Sequence, residues 1–147
     1  MTDQLVSDPA SGLFSEAMLR ALLPSRVATA RRTLRQLGLI LVRIIDGPEP
    51  QELADLVLHV VRDSDMAARF DDGRIALVLE FTPGEGCLVV AERLKTTVNE
   101  SHPEATVTSG IACYPAHAIS SDELVTTAAD ALSGTDPGGV IIAAVPE

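Results

Sequence analysis

The sequence predicts an α+β fold in which helices pack on an antiparallel-rich sheet. Short apolar runs, which are typical of strands, alternate with longer segments that have helical periodicity. The connections between these segments are short, and 147 residues are enough to build one core. Aromatic residues make up only 3% of the chain, so Val, Leu, Ile and Ala must supply that core. We therefore expect a single domain over residues 1–147.

Residues 1–37 predict a helical segment that precedes the core. Ser15 is a suitable N-cap residue, and Gly38 is a suitable helix stop. Pro24 is expected to break or kink the helix, because proline has no backbone N–H and clashes with the preceding turn. An apolar stripe with arginines on the opposite face is formed by Val27, Ala30, Leu34 and Leu37.

Residues 38–147 predict the core, which begins with the buried strand "LILVRII" (39–45). The helix "PEPQELADLVLHVVRD" follows, and then a hairpin of Met66–Phe70 and Ile75–Phe81. The remaining segments are the helix "PGEGCLVVAERLKTTVNES", the strand "ATVTSGIACYP", the helix "SSDELVTTAADAL" with Ser120 or Ser121 as its cap, and the strand "GGVIIAAV". The order β-α-β-β-α-β is that of a ferredoxin-like unit with helices on one face of an antiparallel sheet, and an α-β extension follows it.

The charge distribution argues against duplex nucleic acid as a partner. The net charge is -10, and residues 46–147 hold eighteen acids against five basic residues. Residues 1–45 hold six arginines and three acids. Binding to a phosphate backbone needs a basic footprint, whereas a small phosphorylated ligand needs only two or three local arginines.

Membrane insertion and secretion are not expected either. The runs "LGLILV" and "GVIIAAV" are too short to span a bilayer. The start "MTDQLVSDPA" lacks the basic and apolar regions of a secretory signal. Cys87 and Cys113 are therefore expected to be reduced thiols in the core of a cytoplasmic protein.

Several short strings resemble the motifs of one family in their order and spacing. "DPASGL" resembles D-x-L-T-G-L, and "ARFDDGRIALVL" resembles A-R-[FY]-G-G-D-E-F-x-x-[LI]-[LI]. "ATVTSGIACYP" resembles V-T-x-S-x-G-[IV]-A, and "AADAL" resembles A-D-x-A-L. Together they resemble the GGDEF domain, the catalytic module of diguanylate cyclases, over nearly the whole chain. The resemblance implies a nucleotidyl cyclase-like fold and a family that joins two GTP molecules into cyclic di-GMP.

The resemblance also implies that the catalytic metal site is degenerate. The acidic pair of the family motif falls on Gly73 and Arg74, and the metal-binding Asp of the first strand falls on Arg43. Asp71 and Asp72 occupy the family's two glycines, where a carboxylate would repel a triphosphate. Mg²⁺ requires hard oxygen ligands, and a guanidinium has no lone pair to give. We therefore expect no catalytic residues, no magnesium cofactor and no enzyme activity.

The guanine-reading segment of the family is also expected to be missing. "DGPEPQ" joins the first strand to the next helix and is roughly a dozen residues shorter than the family's connection, which is an ordinary loop length. This loss adds to the expectation that GTP is not turned over.

A second family site is expected to survive, because its motif is present at the expected spacing. The family's product site has R-x-x-D ending five residues before the turn, and "RDSD" supplies Arg62 and Asp65. A further family arginine, in "AER", falls on Arg93. Arginine binds guanine edges and phosphates bidentately, and a carboxylate accepts from guanine N–H groups. The resemblance thus implies a cyclic di-GMP receptor that uses Arg62, Asp65 and Arg93.

Simpler interpretations stay open for each of these charges. Arg62 and Asp65 form an i, i+3 pair that could be only a surface ion pair. "DDG" suits a tight turn. Arg43 interrupts a buried strand and is expected to pair with Asp71 or Asp72, or else to hold a phosphate together with Arg74.

Three functions follow from these interpretations. The first is a cyclic di-GMP receptor, and the second is a ligand-independent module for a protein partner or homodimerisation. The third is residual cyclase activity, which would require that the interpretation of Arg43, Gly73 and Arg74 is wrong.

Overall fold

The computed structural model describes residues 6–145, which form one sheet with helices on both faces. Within this part of the chain, no helix is both long and apolar enough to cross a membrane. The strands are β1 (Phe14–Ser15), β2 (Leu37–Ile45), β3 (Met66–Arg69), β4 (Ile75–Glu80), β5 (Thr106–Tyr114) and β6 (Val140–Ile142). The helices are α1 (Glu16–Arg32), α2 (Pro50–Val60), α3 (Gly84–Ser101) and α4 (Ser121–Ser133).

The sheet has the strand order β1-β3-β4-β2-β5-β6, with β2 in the middle. β2 is antiparallel to β4 and to β5, and β3 and β4 form the predicted hairpin. The core order β2-α2-β3-β4-α3-β5 confirms the predicted ferredoxin-like unit, and α4 with β6 confirms the extension. The short edge strand β1, which was not predicted, pairs in parallel with β3.

Both faces of the sheet are covered, which explains the nearly continuous apolar sequence of β2. Ile40 and Val42 pack in the core that includes α2 and α3, together with the buried thiols Cys87 and Cys113. Leu39 and Leu41 pack on the opposite face, in the core that includes α1 and α4. The helices on the second face come from outside the ferredoxin-like unit. A strand buried on both faces carries apolar residues at successive positions.

The prediction that Pro24 breaks the N-terminal helix into two pieces is wrong. Glu16–Arg32 is a single helix with Pro24 inside it, and Ser15 is the N-cap as predicted, its hydroxyl accepting from the N–H of Met18. Pro24 and Arg20 are exposed, so water can bond the Arg20 carbonyl that loses its helical partner. A proline on the solvent face is therefore compatible with the helix.

The predicted helix stop at Gly38 and the predicted stripe through Leu34 are also wrong. The N–H of Arg35 donates to the Ala30 carbonyl (2.8 Å) and that of Leu34 to the Arg31 carbonyl (3.3 Å). These two bonds form a Schellman cap, in which Leu34 has the left-handed φ of 56° and is 93% exposed. A cap without glycine has no sequence signal, so the sequence predicts a helix end that is too late. Leu37 is buried, but as the first residue of β2.

Gly110 of β5 is required by the close approach of α4. A Cβ at this position would overlap the backbone of Ala128 and Leu132. We expect Gly110→Ala to lower the free energy of unfolding by on the order of 1–3 kcal/mol, because helix backbone cannot move aside as a flexible side chain can. Urea unfolding followed by far-UV circular dichroism measures the change.

Gly84→Ala is the matched control for this substitution. The nearest atom to a Cβ at Gly84 is Ile142 Cδ1 at 3.5 Å, which is an ordinary contact. Its effect should stay below about 1 kcal/mol, the usual range of helix propensity. Equal effects of the two substitutions would show that α4 does not pack closely on β5.

Candidate functional site

β3 and β4 are joined by a tight turn, which confirms the interpretation of "DDG" as a turn. The N–H of Phe70 donates to the Arg74 carbonyl (2.7 Å), and the N–H of Gly73 donates to the Phe70 carbonyl (2.9 Å). Gly73 has a φ of 93°, which favours glycine. Asp72 accepts from Arg74 N (3.1 Å) and from Arg74 Nε (2.8 Å). The turn is therefore stabilised by its own backbone hydrogen bonds and by the Asp72–Arg74 ion pair.

A cleft of about 550 Å³ lies beside this turn. Its walls come from the end of β2, the connection 46–49 between β2 and α2, and the hairpin. Three arginines line it, and they are Arg43, Arg69 and Arg74. The connection of four residues agrees with the short loop that the sequence predicts.

The expectation that Arg43 is buried and paired with Asp71 or Asp72 is wrong. β2 is buried only as far as Val42, and Arg43 is exposed. Within residues 6–145 Arg43 forms no ion pair, whereas Asp72 pairs with Arg74 at 2.8 Å. An exposed guanidinium has no desolvation cost to offset, so it needs no partner.

The charges of the cleft keep Asp72 ionised. Partial burial acts to raise the pKa of Asp72, but the hydrogen bonds from Arg74 and the positive charges of Arg74 and Arg43 outweigh it. The pKa of Asp72 therefore lies below its ordinary value. The carboxylate acts as an anchor for Arg74 and carries a negative charge at neutral pH.

The residues that line this cleft do not fit Mg²⁺. The carboxylates among them are Asp46 and Asp72, and Asp72 is already bonded to Arg74. In the described part of the chain, no group of three His, Cys, Asp or Glu residues is arranged to hold a metal ion. Mg²⁺ needs several hard oxygen ligands, and three guanidinium groups beside the carboxylates would repel it.

A second cluster of charges lies where α2 ends, and it brings Arg62 and Asp65 together as predicted. Arg62 Nη2 lies 3.3 Å from Asp65 Oδ1 and also donates to the Glu80 carbonyl (2.7 Å) and Thr82 Oγ1 (2.9 Å). The Arg62 side chain is nevertheless 62% exposed. Its guanidinium is therefore fixed at the surface by three acceptors.

Asp65 is the buried member of this cluster, with a side chain only 3% exposed. Its Oδ1 accepts from Glu80 N (3.0 Å) and its Oδ2 from Arg62 N (2.9 Å). These bonds tie the loop after α2 to the end of β4. Both carboxylate oxygens are thus engaged within the protein.

Arg26 of α1 belongs to the same cluster, although no sequence motif indicates it. Arg26 Nη1 donates to the Ser64 carbonyl (2.8 Å), inside the "RDSD" loop, and to Glu80 Oε2 (3.2 Å). It is separated from Ser64 by 38 residues, so no local spacing could indicate the contact. The interaction connects the N-terminal helix directly to the loop.

Arg93 does not contact Arg62 or Asp65. It is exposed on α3 and makes no hydrogen bond or ion pair within residues 6–145. Arg93 lies nine residues after the start of α3 at Gly84, about 13 Å along the helix axis. Arg62 contacts Thr82, just before this helix.

Comparison with known families identifies the domain. Residues 51–137 match the family described as "Diguanylate cyclase, GGDEF domain". The chain belongs to the GGDEF domain family. No curated protein matches the chain significantly. The match confirms the resemblance that the short motifs indicate.

Solved GGDEF structures share the fold at low sequence identity. The GGDEF domain of TpbB, also called YfiN, from Pseudomonas aeruginosa is 20% identical with a TM-score of 0.82, and the match covers 94% of each chain. Diguanylate cyclase SiaD from Pseudomonas aeruginosa, solved with its activator SiaC, is 19% identical with a TM-score of 0.79. The match covers 97% of this chain and 63% of the SiaD chain. The coiled coil and GGDEF domain of DgcB from Caulobacter crescentus, solved with c-di-GMP, is 17% identical with a TM-score of 0.79. The match covers 97% of this chain and 87% of the DgcB chain.

The buried carboxylate of Asp65 should contribute to stability. Asp65→Ala leaves the N–H groups of Arg62 and Glu80 without their acceptor, which costs about 1–3 kcal/mol. We expect the free energy of unfolding to fall by this amount in urea titrations. Asp63→Ala is the control, because Asp63 is exposed in the same loop and bonds to no described residue. A loss in Asp63→Ala as large as that in Asp65→Ala would contradict the assigned role.

Proposed function

We propose that this GGDEF domain is a catalytically inactive receptor for cyclic di-GMP. The observation that carries the proposal is the Arg62 guanidinium, which is exposed yet fixed by Asp65, Glu80 and Thr82. An arginine held in one orientation loses less side-chain entropy when it binds a ligand. Arg62 is also the first residue of the R-x-x-D motif at the family spacing from the turn.

The chemistry of cyclic di-GMP suits such an arginine. The ligand offers two phosphates and two guanine edges. The Nη1 group of Arg62, which bonds to no described residue, can donate to either of them, whereas a bidentate pair that also used Nη2 would have to exchange the bonds to Glu80 and Thr82. Arg93 supplies a second exposed guanidinium, on α3, at the position of the family's further arginine. The related DgcB structure contains c-di-GMP, which supports the choice of ligand class.

Asp65 has a positioning role in this proposal. Its oxygens bond Arg62 and the Glu80 N–H, so a direct contact with guanine would require an exchange of partners. Arg26, which donates to Ser64, supports the same loop. The binding contacts therefore rest on Arg62 and Arg93, and Asp65 orients the first of them.

The proposed lack of cyclase activity rests on the cleft beside the turn. Arg43 and Arg74 stand where the family has acids, and Gly73 has no side chain to offer. The four-residue connection after β2 is short for a segment that reads guanine. A cytoplasmic location and the absence of direct membrane insertion remain part of the proposal.

A ligand-independent interaction module is the second candidate. The observation that favours it is the internal satisfaction of the Arg62–Asp65 pair, which needs no ligand to explain it. Exposed arginines of α1, such as Arg32, offer a surface to an acidic partner or a second copy. SiaD, solved with its activator SiaC, is a related cyclase that binds a protein.

Isothermal titration with cyclic di-GMP distinguishes the two candidates. We expect the wild-type domain to bind, and Arg62→Ala to weaken binding by at least about tenfold, because a charge-assisted hydrogen bond is lost. Arg93→Ala should also weaken binding. Arg32→Ala removes the same charge from an exposed helix position and should bind like the wild type.

Two results would overturn the receptor proposal. One is the absence of binding heat for the wild-type domain, and the other is equal affinity of wild type and Arg62→Ala. Sedimentation equilibrium without nucleotide then tests the second candidate, since a dimer formed without ligand supports the interaction module.

Incubation with GTP and Mg²⁺ tests the lack of catalysis. We expect no cyclic di-GMP by anion-exchange chromatography, because the cleft lacks the carboxylates that a two-metal reaction needs. An active GGDEF domain assayed in parallel serves as the positive control. Product above the level of a protein-free blank would contradict the assignment of an inactive domain.

A further inference from the structure

Two thiols from different elements lie side by side in the core. Cys87 is in the first turn of α3 and Cys113 is near the end of β5, and both are free and at most 1% exposed. Cys113 pairs with Gly38 of β2, and a Cβ at Gly38 would overlap Cys87 Sγ. Opposed Cβ positions of paired strands are about 4.5–5.5 Å apart, so the Cys87 sulfur lies beside the Cys113 side chain. The two thiols share a hydrogen bond.

The beginning of α3 is the part of the structure that can uncover this pair. Its N-cap residue, Pro83, makes no side-chain hydrogen bond to the helix, and glycines occupy two of its first three positions, Gly84 and Gly86. Glycine is a poor helix former, so this turn opens more readily than the rest of the helix. Gly84 also covers Cys113, since a Cβ at Gly84 would lie 3.7 Å from Cys113 Sγ. Opening of the first turn therefore exposes both thiols.

The shared hydrogen bond makes Cys113 the more acidic of the two thiols. The bond from the Cys87 S–H stabilises the Cys113 thiolate and lowers the pKa of Cys113, although burial acts to raise it. The same bond, burial, and the charges of Cys113 and Asp65 raise the pKa of Cys87. Because the thiolate is the nucleophilic form of cysteine, Cys113 is the residue that attacks an oxidant first.

We propose that Cys87 and Cys113 are a reversible redox site, at which a small peroxide converts the two thiols into one disulfide when the first turn of α3 opens. The bridge would connect α3 to β5 across the core. In a reducing compartment such a disulfide is transient and acts as a redox sensor. The site does not depend on ligand binding at Arg62.

The reaction balances in two steps, with the peroxide as the oxidant. The Cys113 sulfur attacks one peroxide oxygen, the O–O bond breaks, and the second oxygen leaves as water with the thiol proton, so that Cys113 becomes a sulfenic acid. The Cys87 sulfur then attacks the Cys113 sulfur, the S–O bond breaks, and the hydroxyl leaves as water with the Cys87 proton. Two electrons pass from the sulfur atoms to the peroxide, and a thiol reductant reverses the change.

Treatment of the folded full chain with hydrogen peroxide tests the proposal. After catalase has stopped the reaction, peptide mapping by mass spectrometry should find Cys87 and Cys113 joined within one molecule, and dithiothreitol should remove the bridge. Cys87→Ser should form no such bridge and should accumulate oxygen on Cys113, because its hydroxyl still donates to the thiolate but cannot form the disulfide. Far-UV circular dichroism checks that each variant is folded.

Gly110→Ala distinguishes local opening of α3 from global unfolding. Gly110 faces α4, on the other side of the sheet from the thiols, so this variant should form the bridge within about twofold of the wild-type rate. The proposal is overturned if the rate rises in proportion to the loss of stability, since the unfolded chain would then be the reacting species. It is also overturned if the wild type keeps two free thiols, if disulfides join only different molecules, or if Cys113 of Cys87→Ser stays unoxidised.

Discussion

The pairing of β2 with β4 determines what each charged site of this domain can do. Val42 lies opposite Ile75, so Arg43 and Arg74 meet at the same end of the sheet. A shift of one residue would move the core residues of β2 to the opposite face, and both faces are already filled. The burial of β2 therefore fixes the register, and the register brings guanidinium groups together beside the turn.

Periodicity predicts most of the fold, and it fails where a local cap has no sequence signal. Strands buried on both faces were recognised as apolar runs, and α4 was placed by its serine caps, of which Ser120 accepts from Glu123 N at 3.2 Å. The end of α1 was missed because Leu34 adopts the left-handed conformation that usually marks glycine. Pro24 was misjudged because sequence alone does not show that it faces solvent.

The sequence predicts which charged residues lie together, but it does not predict which of them are buried. The i, i+3 spacing of Arg62 and Asp65 indicated their contact. It did not indicate that Asp65 is buried and bonds the Glu80 N–H, because that contact joins two separate elements. Arg26 was missed for the same reason. Arg43 differs from these residues, because the sequence predicts more burial than the structure shows. The apolar run of β2 predicts that Arg43 is buried, but the strand is exposed from this position on one face.

The proposed lack of catalysis depends on the three arginines that line the cleft beside the hairpin turn, and a diffraction experiment tests this directly. Crystals grown with Mn²⁺ and a non-hydrolysable GTP analogue would be measured for anomalous scattering, since Mn²⁺ reports positions that Mg²⁺ would take. We expect no anomalous peak between the end of β2 and the hairpin turn. A manganese peak coordinated by Asp46 or Asp72 would contradict the proposed lack of catalysis.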